Sequence, residues 1–468
     1  MHDLDYAAFF RTATGHSPYH YQVQLGEGDV LPDVLMVPTG GGKTEAVLGA
    51  WLHQRARGVA PRRLVYALPM RTLVEQTADV AVTMRGRLGL SADELPVHVL
   101  MGGEEPTDWR DWPERDQILV GTIDMLVSRA LNRGYAESRF AWPVAFGLLN
   151  NDCRWVFDEV QLMGPALTTS AQLDGLRRRL GTTIPCESLW MSATAHPEAL
   201  CTVDRPAPPA VVALPQEDRT GQLARRLNAV KRLERLDLTQ IAAKKIPSAL
   251  AEAVAERHAV GTRTLVVVNT VARAQGVTRA LQRLLARAEP RPTVALVHSR
   301  FRPPERREAM DAAMAEPDPL AGTIVVATQV VEAGIDLSSR LLITEPAPFS
   351  SIVQRLGRCN RAGEHDEGTV AWLDTGPLPG GTRPAVKAAA PYRPADLEAA
   401  RQALLAREGE SLSPSAVEGL EVPETAADPA VLRRRDLLDL FDTSPDYVGW
   451  WEDPRMRPPT PTRWSGSC

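Results

Sequence analysis

The stretch that decides the fold is DVLMVPTGGGKTEAVLGAWLHQRA, residues 33–56. It opens with a short apolar run, passes through three consecutive glycines and ends in a segment whose apolar residues recur at helical spacing. This order predicts a buried strand, a glycine-rich turn and an amphipathic helix. Such a turn indicates a phosphate site, because backbone N–H groups and the positive end of the helix dipole both favour anions.

The glycines allow backbone N–H groups to close around phosphate oxygens without a Cβ in the way. The predicted nucleotide-binding residues of this loop are Thr39, Gly40, Gly41, Gly42, Lys43 and Thr44. We expect Lys43 to reach the β- and γ-phosphates of ATP and the Thr44 hydroxyl to bind Mg²⁺. Only five of the 53 basic residues are lysines, so a lysine in this one slot favours phosphate binding. The strict phosphate-loop pattern has a glycine where this chain has Val37.

Short apolar runs continue to alternate with amphipathic segments along the chain. The predicted strands of the first half are DVLMV (33–37), RRLVYAL (62–68), VHVLM (97–101), QILVGT (117–122), RWVFDE (154–159) and ESLWMSA (187–193). Those of the second half are TRTLVVVN (262–269), TVALVHS (293–299), GTIVVAT (322–328), RLLITE (340–345) and TVAWLD (369–374). Apolar strands separated by helices indicate parallel sheets covered on both faces, so we predict an α/β fold with two tandem parallel-sheet domains.

Proline and glycine mark the predicted boundaries. The first domain is expected over residues 1–204, a Pro-rich linker over 205–218, and the second domain over 219–375. Residues 376–468 read as a small Pro-rich accessory region, mostly helical or irregular, or as a truncated third domain.

A second chemical motif is FDEVQ (157–161), at the end of a predicted strand. A carboxylate at the C-terminal end of a parallel strand faces the phosphate loop, where ligands collect. We therefore expect Asp158 to hold Mg²⁺ through water and Glu159 to orient or deprotonate the attacking water. The alternative for an isolated Asp-Glu pair is a solvated surface pair.

The third motif, SIVQRLGRCNRAGE (351–364), carries Arg355, Arg358 and Arg361 at three-residue spacing, which on one helix would place them roughly on one face. We predict that Arg358 and Arg361 are arginine fingers that enter the ATP site across the cleft between the domains. The alternative is an exposed basic helix.

Composition restricts the remaining classes. The five cysteines are scattered without a CxxC pair, which argues against a disulfide framework or a zinc knuckle. No signal pattern and no run of 18 apolar residues occurs, so a soluble cytoplasmic protein without a membrane segment is expected. The net charge of −5 argues against coating nucleic acid by bulk charge. Residues 201–375, however, carry 24 basic against 20 acidic residues.

Seven motifs stand in the order in which superfamily 2 helicases carry them. They are VPTGGGKT (37–44), LPMRTLVEQT (68–77), VGTIDMLV (120–127), FDEVQ, MSAT (191–194), VVATQVVEAGIDL (325–337) and QRLGRCNR (354–361). The chain resembles that superfamily over about residues 15–375, which implies two RecA-like motor domains. Within it, the likeness is to the CRISPR-associated helicase–nuclease of type I interference systems, with features similar to subtype I-G (formerly I-U). The features that carry this likeness are ALVHSRF (295–301), Asn360, Gly363, LLDLFDTSPD (437–446) and the acidic motif itself.

The resemblance implies roles for further residues. Gln22 in SPYHYQ (17–22) would recognise adenine, as the helicase Q motif does, and Gln354 would join the catalytic arginines. The nucleic-acid backbone would be contacted by Arg71, Thr72, Gly121 and Thr122. Ser192 and Thr194 would couple hydrolysis to domain motion. The strand would be linked to the ATP site by Thr328, Gly334 and Asp336, of which Gly334 and Asp336 would also bind the nucleotide. Ordinary turn chemistry and helix capping are the alternative for these loop residues.

The resemblance also implies an ATP-driven motor on single-stranded DNA that a guide-RNA surveillance complex recruits. Two departures stand out. Gln161 replaces the Asp or His common at the fourth position of the acidic motif, and the His-Asp pairs at residues 2–3 and 365–366 lack the companions of a metal nuclease. We therefore expect no nuclease site in this chain, and any cutting would need a separate polypeptide or a missing region. An RNA helicase of the DEAD/DEAH type and an ATP-switched clamp that does not unwind are the alternatives.

Overall fold

Two parallel β-sheets, each covered on both faces, form the body of the molecule. The structure, a computed structural model, describes residues 5–28, 31–38, 40–102, 109–134, 137–193, 197–378, 383–425 and 431–442. The predicted α/β fold with two tandem parallel-sheet domains is confirmed.

The first sheet has the strand order β3-β4-β2-β5-β6-β1-β7, with every neighbouring pair parallel. Its strands are β1 (Val34–Met36), β2 (Arg63–Leu68), β3 (Val97–Leu100), β4 (Gln117–Thr122), β5 (Cys153–Phe157), β6 (Cys186–Ser192) and β7 (Val211–Ala213). The helices of this domain are α1 (Tyr6–Thr14), α2 (His20–Glu27), α3 (Lys43–Ala56), α4 (Arg71–Arg87), α5 (Ile123–Ala130), α6 (Trp142–Leu149) and α7 (Pro165–Leu180). The central strands β2 and β5 are buried along their whole length, as apolar strands between two helical layers should be.

The second sheet has the order β10-β11-β9-β12-β13-β8 and is also parallel throughout. Its strands are β8 (Lys231–Asp237), β9 (Arg263–Val267), β10 (Thr293–Val297), β11 (Thr323–Ala327), β12 (Leu341–Thr344) and β13 (Gly368–Asp374). The remaining helices are α8 (Gly221–Leu227), α9 (Ile246–Arg257), α10 (Val271–Leu284), α11 (Pro303–Met314), α12 (Phe349–Leu356), α13 (Arg383–Ala389), α14 (Pro394–Leu405), α15 (Pro414–Val417) and α16 (Arg434–Phe441). In both domains, predicted site residues follow the C-terminal ends of the strands.

The structure differs from the predicted linker at 205–218. Strand β7 lies inside that stretch and pairs with β1 as an edge of the first sheet. The Asp218 carboxylate accepts the backbone N–H groups of His20 and Tyr21 at 2.6 and 2.9 Å. An edge strand pairs on one side only, so prolines beside it cost no ladder hydrogen bond. The first domain therefore extends through α8, whose apolar residues enter its core.

The region after residue 375 packs on both domains. Helices α14 and α15 join the core of the second sheet. Helix α16 returns to the first domain, where the Phe441 and Phe146 rings lie 5.0 Å apart and Arg133 donates to the Leu440 carbonyl at 2.6 Å. Residues 443–468 lie outside the described residues. None of the helices in the described ranges is both long and apolar enough to cross a membrane.

Candidate nucleotide site and interdomain cleft

The glycine-rich loop after β1 has the geometry of an anion cradle. Gly40 and Gly42 have φ angles of +84° and +79°, which residues other than glycine rarely adopt. A Cβ on Gly41 would lie 2.4 Å from Val37 Cγ1. Val37, where the strict pattern has glycine, is buried in the first core and closes the base of the loop. Thr39 lies outside the described residues.

Lys43 begins α3 directly behind this loop. Its side chain is buried, its Nζ donates to the Val37 carbonyl at 3.0 Å, and the same atom lies 3.9 Å from Glu159 Oε1. The ammonium therefore lies between the glycine-rich loop and the acidic motif, where it can neutralise phosphate charge.

The acidic motif follows β5 as expected. The Asp158 carboxylate accepts the Tyr66 hydroxyl at 2.9 Å and the Glu159 backbone N–H at 2.8 Å. Burial and the Glu159 charge raise the pKa of Asp158 above its ordinary value, against the lowering effect of Lys43. Tyr66 lies on β2 and interacts with Thr44 as well. We did not identify it from the sequence, although a lone polar atom in an apolar strand beside β5 was an available signal.

Thr44 and Asp158 are the residues that could hold Mg²⁺. Hard divalent cations prefer hydroxyl, carboxylate and water oxygens. The Thr44 hydroxyl and the Asp158 carboxylate are such groups, and the Tyr66 hydroxyl interacts with both. A buried carboxylate with a raised pKa is relieved by a nearby cation, so the site fits the ion. The ion would shield the phosphate charges of ATP and orient the γ-phosphate.

Asp158→Asn is expected to abolish ATP turnover and yet to raise the melting temperature of the nucleotide-free protein at pH 7. A carboxylate whose pKa is raised by folding stabilises the fold at pH values below its unfolded pKa, and that stability is lost as pH rises through the folded pKa. Asparagine removes the buried charge, can accept the Glu159 N–H through its amide oxygen and can donate its amide N–H to the Tyr66 hydroxyl oxygen. Melting curves at pH 5 and pH 7 test this, and the advantage of the variant should shrink at pH 5. A variant less stable than the wild type at pH 7 would contradict the assigned environment.

Gln161 connects two motifs. Its Nε2 donates to Glu159 Oε2 at 2.5 Å, and its Oε1 accepts the Ser192 hydroxyl at 2.7 Å. The backbone of Glu159 has φ +52°, which turns its carboxylate toward Lys43 and Gln161. Ser192, at the end of β6, is thus joined to the predicted catalytic carboxylate through one amide. Thr194 lies outside the described residues.

Helix α2 supports the glycine-rich loop from the other side. The buried Gln22 side chain donates to the Gly42 carbonyl at 3.1 Å and accepts the Tyr19 backbone N–H at 2.9 Å. The Tyr21 hydroxyl donates to the Gly41 carbonyl at 2.5 Å. Gln22 therefore contacts the glycine-rich loop, and its role in binding the nucleotide and adenine stays a prediction.

The three arginines of the third motif do not share a helix face. Helix α12 ends at Leu356, so the later arginines lie on the loop beyond it. Arg355 is fully buried and binds Glu332 at 2.8 Å and Thr344 at 2.8 Å, which makes it a core residue of the second domain. Gln354 precedes it on α12 and is also buried.

Arg358 and Arg361 occupy different environments on that loop. Arg358 is buried and donates to the Val331 and Glu332 carbonyls, both at 2.9 Å. Burial and the Arg361 charge lower the pKa of Arg358 to about 10. Nearby carboxylates oppose this shift, and Glu159 of the first domain has the largest opposing effect among them. Arg361 is more accessible and pairs with Asp336 at 3.0 Å. The two predicted fingers therefore belong to the second domain, and one lies within electrostatic reach of the acidic motif.

The loop after β11 contacts the first domain directly. Gly334 has φ +72°, and a Cβ there would lie 2.4 Å from the Thr72 hydroxyl oxygen. Gln76 donates to the Gly334 carbonyl at 2.7 Å. Thr328 is buried at the start of this loop, and the Asp336 carboxylate is exposed near its end. The loop therefore contacts the first domain directly, and its coupling role stays a prediction.

A cleft of about 1100 Å³ is lined by both domains. Its polar lining includes the predicted residues Arg71, Thr72 and Thr122, together with His298, Ser299 and Arg306. His298 stacks on Phe301 with ring centroids 4.0 Å apart, and its Nε2 is buried without a hydrogen-bond partner among the described residues. Gly121 instead packs on the Leu100 carbonyl, which a Cβ would approach to 2.7 Å, so its nucleic-acid contact stays a prediction.

Metal-binding groups do not cluster elsewhere in the part of the chain that the structure describes. No group of three or more His, Cys, Asp or Glu side chains there could hold a metal ion. Residues 2–3, one of the two His-Asp pairs, lie outside the described ranges.

Known proteins match both halves of the chain. Residues 21–203 match the DEAD/DEAH box helicase family, and residues 260–364 match the C-terminal region of CRISPR-associated nuclease/helicase Cas3. A putative CRISPR-associated nuclease/helicase Cas3 of Myxococcus xanthus is 29% identical over 372 residues, which are 75% of this chain and 44% of that protein. The chain thus spans about half the length of the relatives it matches.

Two solved structures are similar in fold. The crystal structure of T. fusca Cas3 aligns with a TM-score of 0.67 at 22% identity, over 88% of this chain and 52% of that one. The DUF1998 helicase MrfA bound to DNA aligns with a TM-score of 0.59 at 16% identity, over 87% of this chain and 54% of that one.

Proposed function

We propose that this chain, which carries a DEAD/DEAH box helicase domain followed by a Cas3-like helicase C-terminal domain, is an ATP-dependent translocase on single-stranded DNA. The observation that carries the proposal is the arrangement of charges across the domain boundary. Lys43 and the Asp158–Glu159 pair belong to the first domain, and Arg358 of the second domain lies within electrostatic reach of Glu159.

This arrangement makes hydrolysis depend on domain closure. ATP would lie between Lys43 and the Arg358–Arg361 loop, so it would bind the closed form more tightly and shift the population toward it. Glu159, held by Gln161, would orient the attacking water. Loss of the γ-phosphate would remove one set of contacts and let the cleft reopen.

The cleft supplies the proposed path of the strand. The first domain lines it with Arg71, Thr72 and Thr122, and the second domain lines it with Arg306. Relative motion of the domains would therefore move two sets of contacts along one nucleic-acid backbone. The contact between Gly334 and Thr72 would connect this motion to the Arg358 side of the ATP site. Backbone binding of this kind is tolerant of sequence and sensitive to salt.

The biological setting is proposed from the relatives. We infer that the chain acts in the cytoplasm in type I CRISPR interference and antiviral defence, on DNA displaced by a guide-RNA surveillance complex. We propose that it carries no nuclease site of its own, so that cutting would come from a separate nuclease or a region outside this sequence. The similarity to proteins named nuclease/helicase Cas3 supports the setting.

ATPase assays with matched single-stranded DNA and RNA test the substrate. We expect DNA to stimulate hydrolysis more strongly than RNA of the same sequence, with unwinding of a duplex that carries a 3′ single-stranded tail. Equal or greater stimulation by RNA would favour an RNA helicase. Hydrolysis without strand displacement on any overhang would favour a clamp that does not unwind, the alternative to which the Gln161 departure points.

A further inference from the structure

Helix α8 lies between the two catalytic loops and was not singled out in the sequence. Leu223 and Leu227 anchor it in the core of the first domain. Its two adjacent arginines point in different directions. One contacts the glycine-rich loop of the first domain. The other contacts the loop that follows α12 in the second domain, residues 357–364, which we call the arginine loop.

Arg226 holds the glycine-rich loop. Its Nη1 donates to the Gly40 carbonyl at 3.0 Å, where the left-handed backbone of Gly40 presents that oxygen. Within the described ranges no carboxylate pairs with Arg226. The positive charge of Arg226 helps to lower the pKa of Arg361, which burial lowers most and the Asp336 charge raises. Two guanidinium groups of like charge beside a glycine-rich loop favour an anion between them.

Arg225 holds the arginine loop. Its Nε donates to the Gly363 carbonyl at 2.8 Å. Gly363 has φ +69°, and a Cβ there would lie 2.9 Å from Arg225 Cγ and 3.1 Å from the Arg225 carbonyl oxygen. The close packing fixes the chain two residues after Arg361 against α8. The positive φ and the close packing against Arg225 therefore both favour glycine at position 363.

We propose that α8 couples the two halves of the nucleotide site, with Arg226 as a positioning residue for the phosphate-binding loop and Arg225 as a positioning residue for the Arg361 loop. This inference rests on the proposed ATPase activity. Bound triphosphate would relieve the repulsion between Arg226 and Arg361 and draw the two loops together. Without Arg225, the arginine loop would lose its hydrogen bond to α8, the helix that also contacts the glycine-rich loop through Arg226.

Steady-state ATPase assays on the full chain, with Mg²⁺ and a single-stranded oligodeoxynucleotide, test the coupling. Arg226→Ala is expected to raise KM for ATP about tenfold, the effect of losing one hydrogen bond from a charged group. Arg225→Ala is expected to leave KM near the wild-type value and to lower kcat at saturating DNA about tenfold. The matched control is Arg219→Ala, in the segment before α8, whose side chain pairs with Glu418 at 2.6 Å and contacts neither loop. It should match the wild type in both constants.

The split between KM and kcat separates positioning from mere support of the fold, which would lower the active fraction of both variants alike. If either alanine variant is poorly folded, Arg226→Lys and Arg225→Lys replace it, and each should recover part of the loss. Alanine or lysine variants that behave like Arg219→Ala would overturn the coupling role. A wild-type chain that hydrolyses no ATP would instead refute the proposed function itself.

Discussion

Lys43→Ala is expected to reduce ATP turnover to background while leaving the protein folded. Lys43 lies 3.9 Å from the Glu159 carboxylate and donates to the Val37 carbonyl, so its ammonium connects the glycine-rich loop to the acidic motif. Alanine removes the ammonium group that directly follows that loop, and the phosphate charge developing during hydrolysis would lose this partner. Phosphate release in the presence of single-stranded DNA measures the effect.

Lys244→Ala provides the matched control, because it removes an exposed lysine far along the chain from the loop. It should retain wild-type turnover. Circular dichroism and melting curves establish that both variants fold. Substantial turnover by a folded Lys43→Ala protein would show that the glycine-rich loop is not the nucleotide site.

The proximity of Lys43 to the acidic motif could be predicted from the sequence because both follow the ends of strands. Lys43 comes after β1 and the glycines, and Asp158 comes after β5, so period and neighbouring residue types sufficed. Parallel topology then brings the ends of β1 and β5 to one edge of the sheet. The same reasoning predicted two parallel sheets, but it missed their edge strands β7 and β8.

Contacts that depend on tertiary register could not be predicted in this way. The strand β8 carries four charged residues at 231–235 and resembles a polar loop, yet it pairs with β13 along the whole sheet edge. Three-residue spacing suggested one helix face for the arginines, but the helix ends at Leu356, and Arg355 turns inward to a buried carboxylate. Spacing predicts a shared face only while the helix continues.

Charge shows the same division between local and long-range information. The excess of basic over acidic residues at 201–375 weakened the argument from net charge against nucleic-acid binding, but it did not identify which arginines face the cleft. The Arg355 and Arg358 side chains donate hydrogen bonds to partners inside their own domain. Among the described residues, the partly exposed Arg361 guanidinium pairs with the exposed Asp336 carboxylate and donates to the Ile335 carbonyl. We therefore propose Arg361, ahead of Arg355 and Arg358, as the residue that moves onto a bound nucleotide.

Arg361→Ala is expected to preserve ATP binding and to lower the rate of hydrolysis by about 10³-fold, the lower end of the effect of an arginine finger. The reason is that Lys43 and the glycine-rich loop bind the nucleotide from the first domain, whereas Arg361 stabilises charge only when the cleft closes. Arg358 is a less informative target, because its removal would leave the Val331 and Glu332 carbonyls without their donors. Single-turnover hydrolysis, together with equilibrium binding of ATP in the absence of Mg²⁺, measures the two effects separately.

Arg232→Ala is the control for this experiment, since Arg232 lies on the edge strand β8 with a largely exposed side chain and only a long 3.8 Å ion pair to Glu367. Such a surface pair contributes little, so this variant should hydrolyse ATP at the wild-type rate. Unchanged hydrolysis in Arg361→Ala would remove Arg361 from the catalytic residues. A parallel loss of ATP affinity and hydrolysis would instead place Arg361 in ground-state binding, because a residue that acts only on closure changes the rate without changing the affinity of the open form.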